Sequence, residues 1–289
     1  MGKSQITMRP LETIDEFHAC EEIQKLAWST GDELVVPAHM LLAVVKSGGL
    51  LLGAFNQQEQ MVGFVLGLLA RRFPPGPGTL PAEGLCHHSH MLGVHPDWWG
   101  QGIGYRLKLA QREVALGRGL TLMNWTFDPL ERRNATLNFA KLGAVCRTYL
   151  VNLYGVMDDS LNVGLSSDRF QVDWWLRSPR VEQRVAGERP SLDVADLRAR
   201  GAALVNPATM GQDNLPRPAG PPAKLEDEQL LVEVPSDFQA LKRADMTLAC
   251  AWRETTRTIF QAAFAQDYTA TEYLYQAGRS YYLLERNEL

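Results

Sequence analysis

The sequence predicts an α/β (α+β) protein, a mixed central sheet flanked by helices, followed by a smaller C-terminal α/β extension. Three observations carry that prediction. Apolar periodicity gives the order strand, helix, helix, three strands, helix, strand, helix, strand over roughly the first 150 residues. Midway, a strand runs into a helix through a turn with glycine at 100, 102 and 104. From about Ser178 to Asp227 the chain turns polar and is broken by Pro207, Pro216, Pro218, Pro221 and Pro222, after which apolar patterning returns.

The elements follow in order. Gln5–Leu11 reads as a first strand. Thr13 and Glu16 form a capping box for a helix through Trp28, whose Phe17, Cys20, Ile23 and Leu26 give an apolar face. Pro37–Val45 is a second helix. Strands Leu50–Phe55 and Met61–Ala70 precede a proline- and glycine-rich loop at Phe73–Gly78, and Leu85–Val94 is the next strand. The helix after the glycine turn runs to Ala115, with Ile103, Leu107, Ala110 and Val114 in one stripe. Leu120–Phe127 is a strand, Arg132–Leu142 a short helix closed by Gly143, and Val145–Leu153 a strand. The expected divisions are a core over 1–178, a proline-rich arm or linker over 179–228 and an extension over 229–289. A helix at Leu192–Leu204 interrupts the arm. The extension has a strand at Gln229–Val234 and a long helix from Ser236 to Gln266, striped by Leu248, Trp252, Thr255, Ile259 and Ala263. A strand-like stretch follows at Tyr281–Leu284. These pieces are expected to pack on the core sheet or on a second copy of the chain as a homodimer.

Composition narrows the function classes. At 289 residues and 45% hydrophobic the chain can bury a sizeable core. A net charge of -4 argues against nucleic acid as a partner, because phosphate binding wants a basic face. No apolar run reaches membrane-span length and the polar start Met1-Gly2-Lys3-Ser4 lacks a signal-peptide core, so a cytoplasmic protein with no membrane partner is expected. Cys20, Cys86, Cys146 and Cys250 are scattered and read as buried free thiols.

The glycine turn carries the chemistry. Gly100, Gly102 and Gly104 remove the Cβ where the backbone enters a helix, opening its unpaired N–H groups and positive dipole end to an anion such as a diphosphate. A dinucleotide fingerprint would need its third glycine one residue later, which disfavours a nicotinamide-dependent dehydrogenase, and no P-loop run is present. Val94, Pro96, Gly100, Gly102 and Gly104 fall in order on the V-x-P-x-x-[RQ]-G-x-G-x-G signature. The segment thus resembles the acyl-CoA site of the GNAT superfamily of N-acyltransferases, with Trp99 in place of the usual Arg or Gln. Asn134 to Ala144 is similar to the family's N-x-x-A-x-x-x-Y-x-K-x-G-F element, with Phe139 in place of the tyrosine that protonates the leaving thiolate. The likeness covers residues 5 to about 178. Phe127-Asp128-Pro129-Leu130 and Arg133-Asn134-Ala135 resemble one bacterial subgroup of the family, to which Gly278-Arg279-Ser280-Tyr281-Tyr282 is also similar.

The resemblance implies direct attack of an amine on an acyl thioester. The Val94 N–H would face the thioester carbonyl and the amides from Gln101 to Gly104 would hold the diphosphate. Leu92, Trp99, Gly100 and Ile103 complete the expected contacts on that loop, and Asn134 and Asn138 are expected on the pantetheine arm. Strand alternation sets Cys86, His88, His90, Leu92 and Val94 on one face and His87 and Ser89 on the other. His88 then lies near where some relatives place a catalytic glutamate, and imidazole titrates in the right range to receive an ammonium proton. Because neighbouring histidines face opposite sides, no metal site is expected from His87, His88 and His90. Phe139 cannot donate a proton, which leaves Tyr149 and Tyr154 as candidate acids. Asp128 could orient the acceptor or begin a turn, and Arg132 and Arg133 could hold a phosphate or an acidic acyl group. An α-amino group with pKa near 8 costs about 1 kcal/mol to deprotonate at pH 7 against about 4–5 for a lysine, which favours a small amino-acid-like acceptor. The expected activity is acyl transfer from acyl-CoA, acetyl-CoA by default, to a small-molecule primary amine. Succinyl-CoA as donor, or a catalytically silent CoA-binding sensor, are the alternatives.

Overall fold

The computed structural model describes residues 6–29, 31–71, 84–155, 163–189, 191–221 and 224–286. Of these, 6–125 and 175–177 form one unit and 126–155, 163–174 and 178–286 a second. The expected loop at Phe73–Gly78 lies outside the described residues.

In the first unit, β1 (Thr7–Pro10) pairs antiparallel with β2 (Leu50–Phe55), β2 with β3 (Met61–Arg71) and β3 with β4 (Leu85–Val94). β5 (Leu122–Phe127, its last two residues counted with the second unit) runs parallel to β4. Every residue of β2 is buried, because helices cover both faces. Alternation sends Leu51, Phe64 and Leu66 to α1 (Ile14–Trp28) and α2 (Ala38–Lys46), where Phe17, Ile23 and Leu41 meet them. It sends Leu50, Leu52 and Val65 to α3 (Ile103–Gly117), where Ile103 and Leu107 complete the core. The capping box forms: the Thr13 hydroxyl accepts from the Glu16 N–H and the Glu16 carboxylate accepts from the Thr13 N–H.

One irregularity corrects the expected strand faces. The β3–β4 register runs Leu66–Met91 and then Gly67–Ser89, so His90 is an extra, bulged residue. Alternation restarts across the bulge. His87 and Ser89 reach Gln111 and Lys108 on α3, and Leu92 and Val94 pack into that same α3-side core. Leu92 and Val94 therefore do not share a face with Cys86 and His88. The β4–β5 ladder holds only at His87–Met123 and His88–Asn124.

In the second unit the strand order is β7–β6–β12–β13–β11–β8. The strands are β6 (Val145–Leu150), β7 (Arg169–Trp175), β8 (Ala203–Leu204), β11 (Gln229–Val234), β12 (Tyr268–Gln276) and β13 (Arg279–Arg286). β9 (Thr209–Met210) and β10 (Pro216–Arg217) form a separate small ladder. β6 ends three residues before the expected Leu153, and β7 and β12 were not foreseen. Because β6 pairs with β12 through Cys146 and Ala270, residues 126–155 and 163–174 belong with the C-terminal strands, and the units do not divide at 178/179.

The arm is structured as well: α5 (Pro179–Val185) buries Val181 and Arg184, and α6 (Val194–Ala199) buries Leu197. The helix expected to reach Leu204 stops early, with Gly201 at φ +104°. The long helix is two, α7 (Phe238–Ala244) and α8 (Met246–Phe264), because Asp245 leaves helical geometry and caps the Leu248 N–H. Phe170, Phe260, Phe264 and Tyr282 form the aromatic core beneath α8, with ring centroids 4.7–6.1 Å apart.

Candidate active site

The site begins where β4 loses its strand partner. The His95 N–H donates to the Val62 oxygen at 2.9 Å, across to β3. Adjacent amides in a strand point to opposite edges, so the N–H groups of Val94 and Leu92 turn away from β3. On that edge the β5 ladder has already stopped at His88–Asn124. The Trp99 indole, 48% exposed, donates to the Val94 oxygen at 2.8 Å and leaves the Val94 N–H open.

The turn after β4 is as glycine-dependent as its sequence suggests. Gly100 and Gly102 both take φ +77°, and a Cβ on either would meet nothing within 4 Å. Gly102 is the N-cap of α3 and offers no side-chain acceptor. The α3 ladder begins with the Arg106 N–H donating to the Gly102 oxygen at 3.1 Å, so the amides of Ile103, Gly104 and Tyr105 lie ahead of it. A Cβ on Gly104 would stand 3.3 Å from a Leu92 methyl, so the glycine lets the helix start approach β4. Gln101 is exposed and its side-chain amide donates to the Asp97 oxygen at 3.3 Å. Free amides on a strand edge, an open glycine turn and a helix start together suit a ligand with an amide-bearing arm and a diphosphate.

His88 stands at the last rung of the β4–β5 ladder, half-buried, with Nδ1 2.8 Å from Asn124 Oδ1. The His90 ring, on the bulge, has its centroid 6.0 Å from that of His88. His87 is committed elsewhere. It is 1% exposed, its Nε2 is 3.0 Å from Gln111 Nε2, and burial, with the Lys108 charge next, pushes its pKa down to about 4. Lys108 was missed from the sequence. It is 3% exposed, donates to the Ser89 hydroxyl at 2.6 Å and lies 3.6 Å from the Trp125 ring centroid; burial holds its pKa well below the usual lysine range. Among the described residues no three His, Cys, Asp or Glu are placed to hold a metal ion.

The remaining candidates belong to the second unit. α4 (Arg132–Ala135) widens into a π-helix over Thr136–Lys141, closed by Gly143 at φ +73°. Asn134 is exposed on it and Asn138 is 2% exposed. The Tyr149 hydroxyl donates to Asp168 at 2.7 Å, and burial raises its pKa far above the ordinary phenol value. Asp168 also receives the Arg257 guanidinium at 2.7 and 3.0 Å, so Tyr149 is held inside an ion network. Tyr154 differs: it is 49% exposed, with its hydroxyl 3.0 Å from the Thr126 hydroxyl. Asp128 accepts the Arg253 guanidinium at 2.8 and 2.5 Å and also accepts from the Leu130 N–H, so it both begins the turn and anchors α8. Arg132 lies with its guanidinium 4.5 Å from the Tyr275 ring centroid.

Residues 14–144 match the model of the acetyltransferase (GNAT) family. Over that stretch the chain is similar to a family of acetyltransferases. No curated protein matches the chain in sequence. Among solved structures it is similar to the ribosomal-protein-S18-alanine N-acetyltransferase from Escherichia coli, with 16% identity, 60% of this chain and 96% of that one covered, and a TM-score of 0.46. It is also similar to an N-acetyltransferase from Staphylococcus aureus Mu50, at 15% identity, 60% and 100% coverage and a TM-score of 0.47. A third is Arabidopsis thaliana NAA60 in complex with a bisubstrate analogue, at 15% identity, 59% and 99% coverage and a TM-score of 0.48. Among the described residues no helix is long and apolar enough to cross a membrane.

Proposed function

We propose that this enzyme transfers the acyl group of acetyl-CoA to the α-amino group of a small amino-acid-like acceptor, with His88 receiving the proton. The observation that carries the reading is the run of open amides along β4 and its turn, from Leu92 and Val94 to the start of α3. The thioester supplies an activated acyl carbon; the chain's part is to hold, polarise and move protons. The Val94 N–H donates to the acyl oxygen, and the amides of Gln101 to Gly104 hold the diphosphate. Donors of this kind are worth about 3–4 kcal/mol when charge develops on the oxygen. His88 is half-buried rather than sealed, so its imidazole remains accessible to an amine directly or through one water. No carboxylate stands on the His88 face of β4, where the residues are Cys86, His88, Met91 and Gly93. A lone imidazole suits an α-amino acceptor better than a lysine side chain, which costs about 4–5 kcal/mol to deprotonate at pH 7. Of the two tyrosines, Tyr154 is half exposed with its hydroxyl 3.0 Å from that of Thr126, whereas the Tyr149 hydroxyl is bound to Asp168.

The test is free-thiol release from acetyl-CoA and succinyl-CoA against D- and L-amino acids, polyamines and a lysine-bearing peptide. Release with acetyl-CoA and a free amino acid is expected. Release only with the lysine peptide would overturn the acceptor class, and release only with succinyl-CoA would overturn the donor. Tight CoA binding without release from any pair would favour the sensor.

A further inference from the structure

We infer that Asn124 is the positioning residue of His88, fixing which imidazole nitrogen faces the acceptor; the inference rests on the reading of His88 as base. His88 and Asn124 are partners on the last rung of the parallel β4–β5 ladder, so their side chains leave the sheet together on one face. His88 Nδ1 and Asn124 Oδ1 are 2.8 Å apart. The Asn124 side chain is 5% exposed, and its Nδ2 donates to Cys86 Sγ at 3.5 Å, two residues before His88 on the same strand face. The amide is thus held at both ends.

That orientation matches what a proton acceptor needs. A neutral imidazole carries one N–H, and a protonated one carries two. With Asn124 Oδ1 facing Nδ1, the Nδ1–H has an acceptor in both states, and Nε2 keeps its lone pair for the incoming proton. If the amide were reversed, its N–H₂ would face Nδ1 and would have to rotate away each time the ring became an imidazolium. A preset dipole that serves both states costs no reorganisation at the moment of transfer. His90, with its ring centroid 6.0 Å away on the bulge, is the imidazole beside His88 on its own strand, whereas the His87 ring turns to the α3 face and Gln111. Cys86 is fully buried and accepts from the Asn124 amide.

The test reads the tautomer before it reads activity. Long-range proton–nitrogen NMR of His88 in the full chain, assigned with His88→Gln, is expected to show the neutral ring protonated at Nδ1. A neutral ring protonated at Nε2 would overturn the inference whatever the variants do. In Asn124→Leu the population is expected to move to the Nε2–H form, with kcat lower by about 100-fold and KM for acetyl-CoA within about twofold. Asn124→Asp keeps the acceptor and adds a charge. It is expected to retain the Nδ1–H form and to move the acidic limb of the kcat/KM profile upward by about one unit or more. An Asn124→Leu protein with the native tautomer and an unmoved profile would refute the positioning role. Undiminished thiol release by His88→Gln would instead refute the base, and leave the tautomer result standing as a separate finding.

Discussion

Replacing Lys108 with methionine should stabilise the protein, and the gain should fade as the pH rises. The lysine is 3% exposed beneath the sheet, with the Ser89 hydroxyl and the Trp125 ring as its polar company. No carboxylate is paired with it among the described residues. Burial depresses its pKa, so part of the folding free energy is spent releasing a proton that the unfolded chain holds. Each unit by which burial lowers the lysine pKa removes about 1.36 kcal/mol of stability at pH values below the folded pKa. Methionine forgoes a hydrogen bond worth about 1 kcal/mol. It fills nearly the same length without a polar end and escapes the burial cost, so the variant is expected to be the more stable protein at pH 7. The sign follows from proton counting. Between the folded and unfolded pKa values the unfolded state binds more protons, so the native protein gains stability with rising pH while Lys108→Met does not. Urea unfolding at pH 7 and pH 9.5 measures both, provided the denaturant slope is unchanged. A variant less stable than the native protein at pH 7, or a difference that does not shrink by pH 9.5, would refute the reasoning.

His87 predicts the opposite end of the pH scale. Its pKa lies at about 4 against an ordinary 6.5, so stability should fall by about 3 kcal/mol as the pH drops through that window, and His87→Gln should flatten the decline in urea midpoints. Ala277 sits at φ +48° in the two-residue turn that joins β12 to β13, ahead of Gly278 at φ +79°. Ala277→Gly should relieve about 0.5–1 kcal/mol and raise the melting temperature by a degree or more; a lower melting temperature would contradict the strain. Gly102→Val places a side chain in open space at φ +77°. It should cost about 1–2 kcal/mol in stability and abolish CoA binding in calorimetry; native affinity in a folded variant would remove the diphosphate from this turn.

What could be read in advance was local chemistry. The Thr13–Glu16 capping box, the Pro37 helix start and the glycine turn are short patterns whose cause lies within a few residues, and all three form. The bulge at His90 has no such pattern. Alternation assumes one residue per rung, and the extra residue that moves Leu92 and Val94 to the α3 face is set by the pairing with β3. Asn124 and Lys108 were passed over because a lone asparagine in a strand and a lysine in a helix are ordinary until their partners are known. Strand β12 was missed for a related reason. It buries Thr269, Thr271 and Glu272, and the glutamate is tolerated there only because Arg180 and Arg184 reach it. The apolar stripe of the predicted long helix runs on into α8, whereas its N-terminal break depends on the Asp245 cap.

The two departures from the family signature, Trp99 and Phe139, were the strongest reason to suspect a protein that binds CoA without turning it over. Each has a structural occupation of its own. The Trp99 indole ties the turn to the Val94 oxygen, so a polar contact is exchanged for another that holds the same loop without engaging the Val94 N–H. Phe139 is fully buried, edge-on to Phe127 at 6.2 Å and to Tyr282 at 5.4 Å between ring centroids. Tyr282 comes from β13 in the C-terminal extension, and its hydroxyl donates to the Pro129 oxygen at 2.6 Å. A tyrosine at 139 would bury a second hydroxyl in this aromatic packing, at a cost of about 1–3 kcal/mol unless it found a partner. The extension thus turns that position into core, and the loss of a phenol there follows from packing rather than from the loss of a reaction. Tyr154, half exposed beside Thr126, is a phenol in this unit that such packing does not enclose.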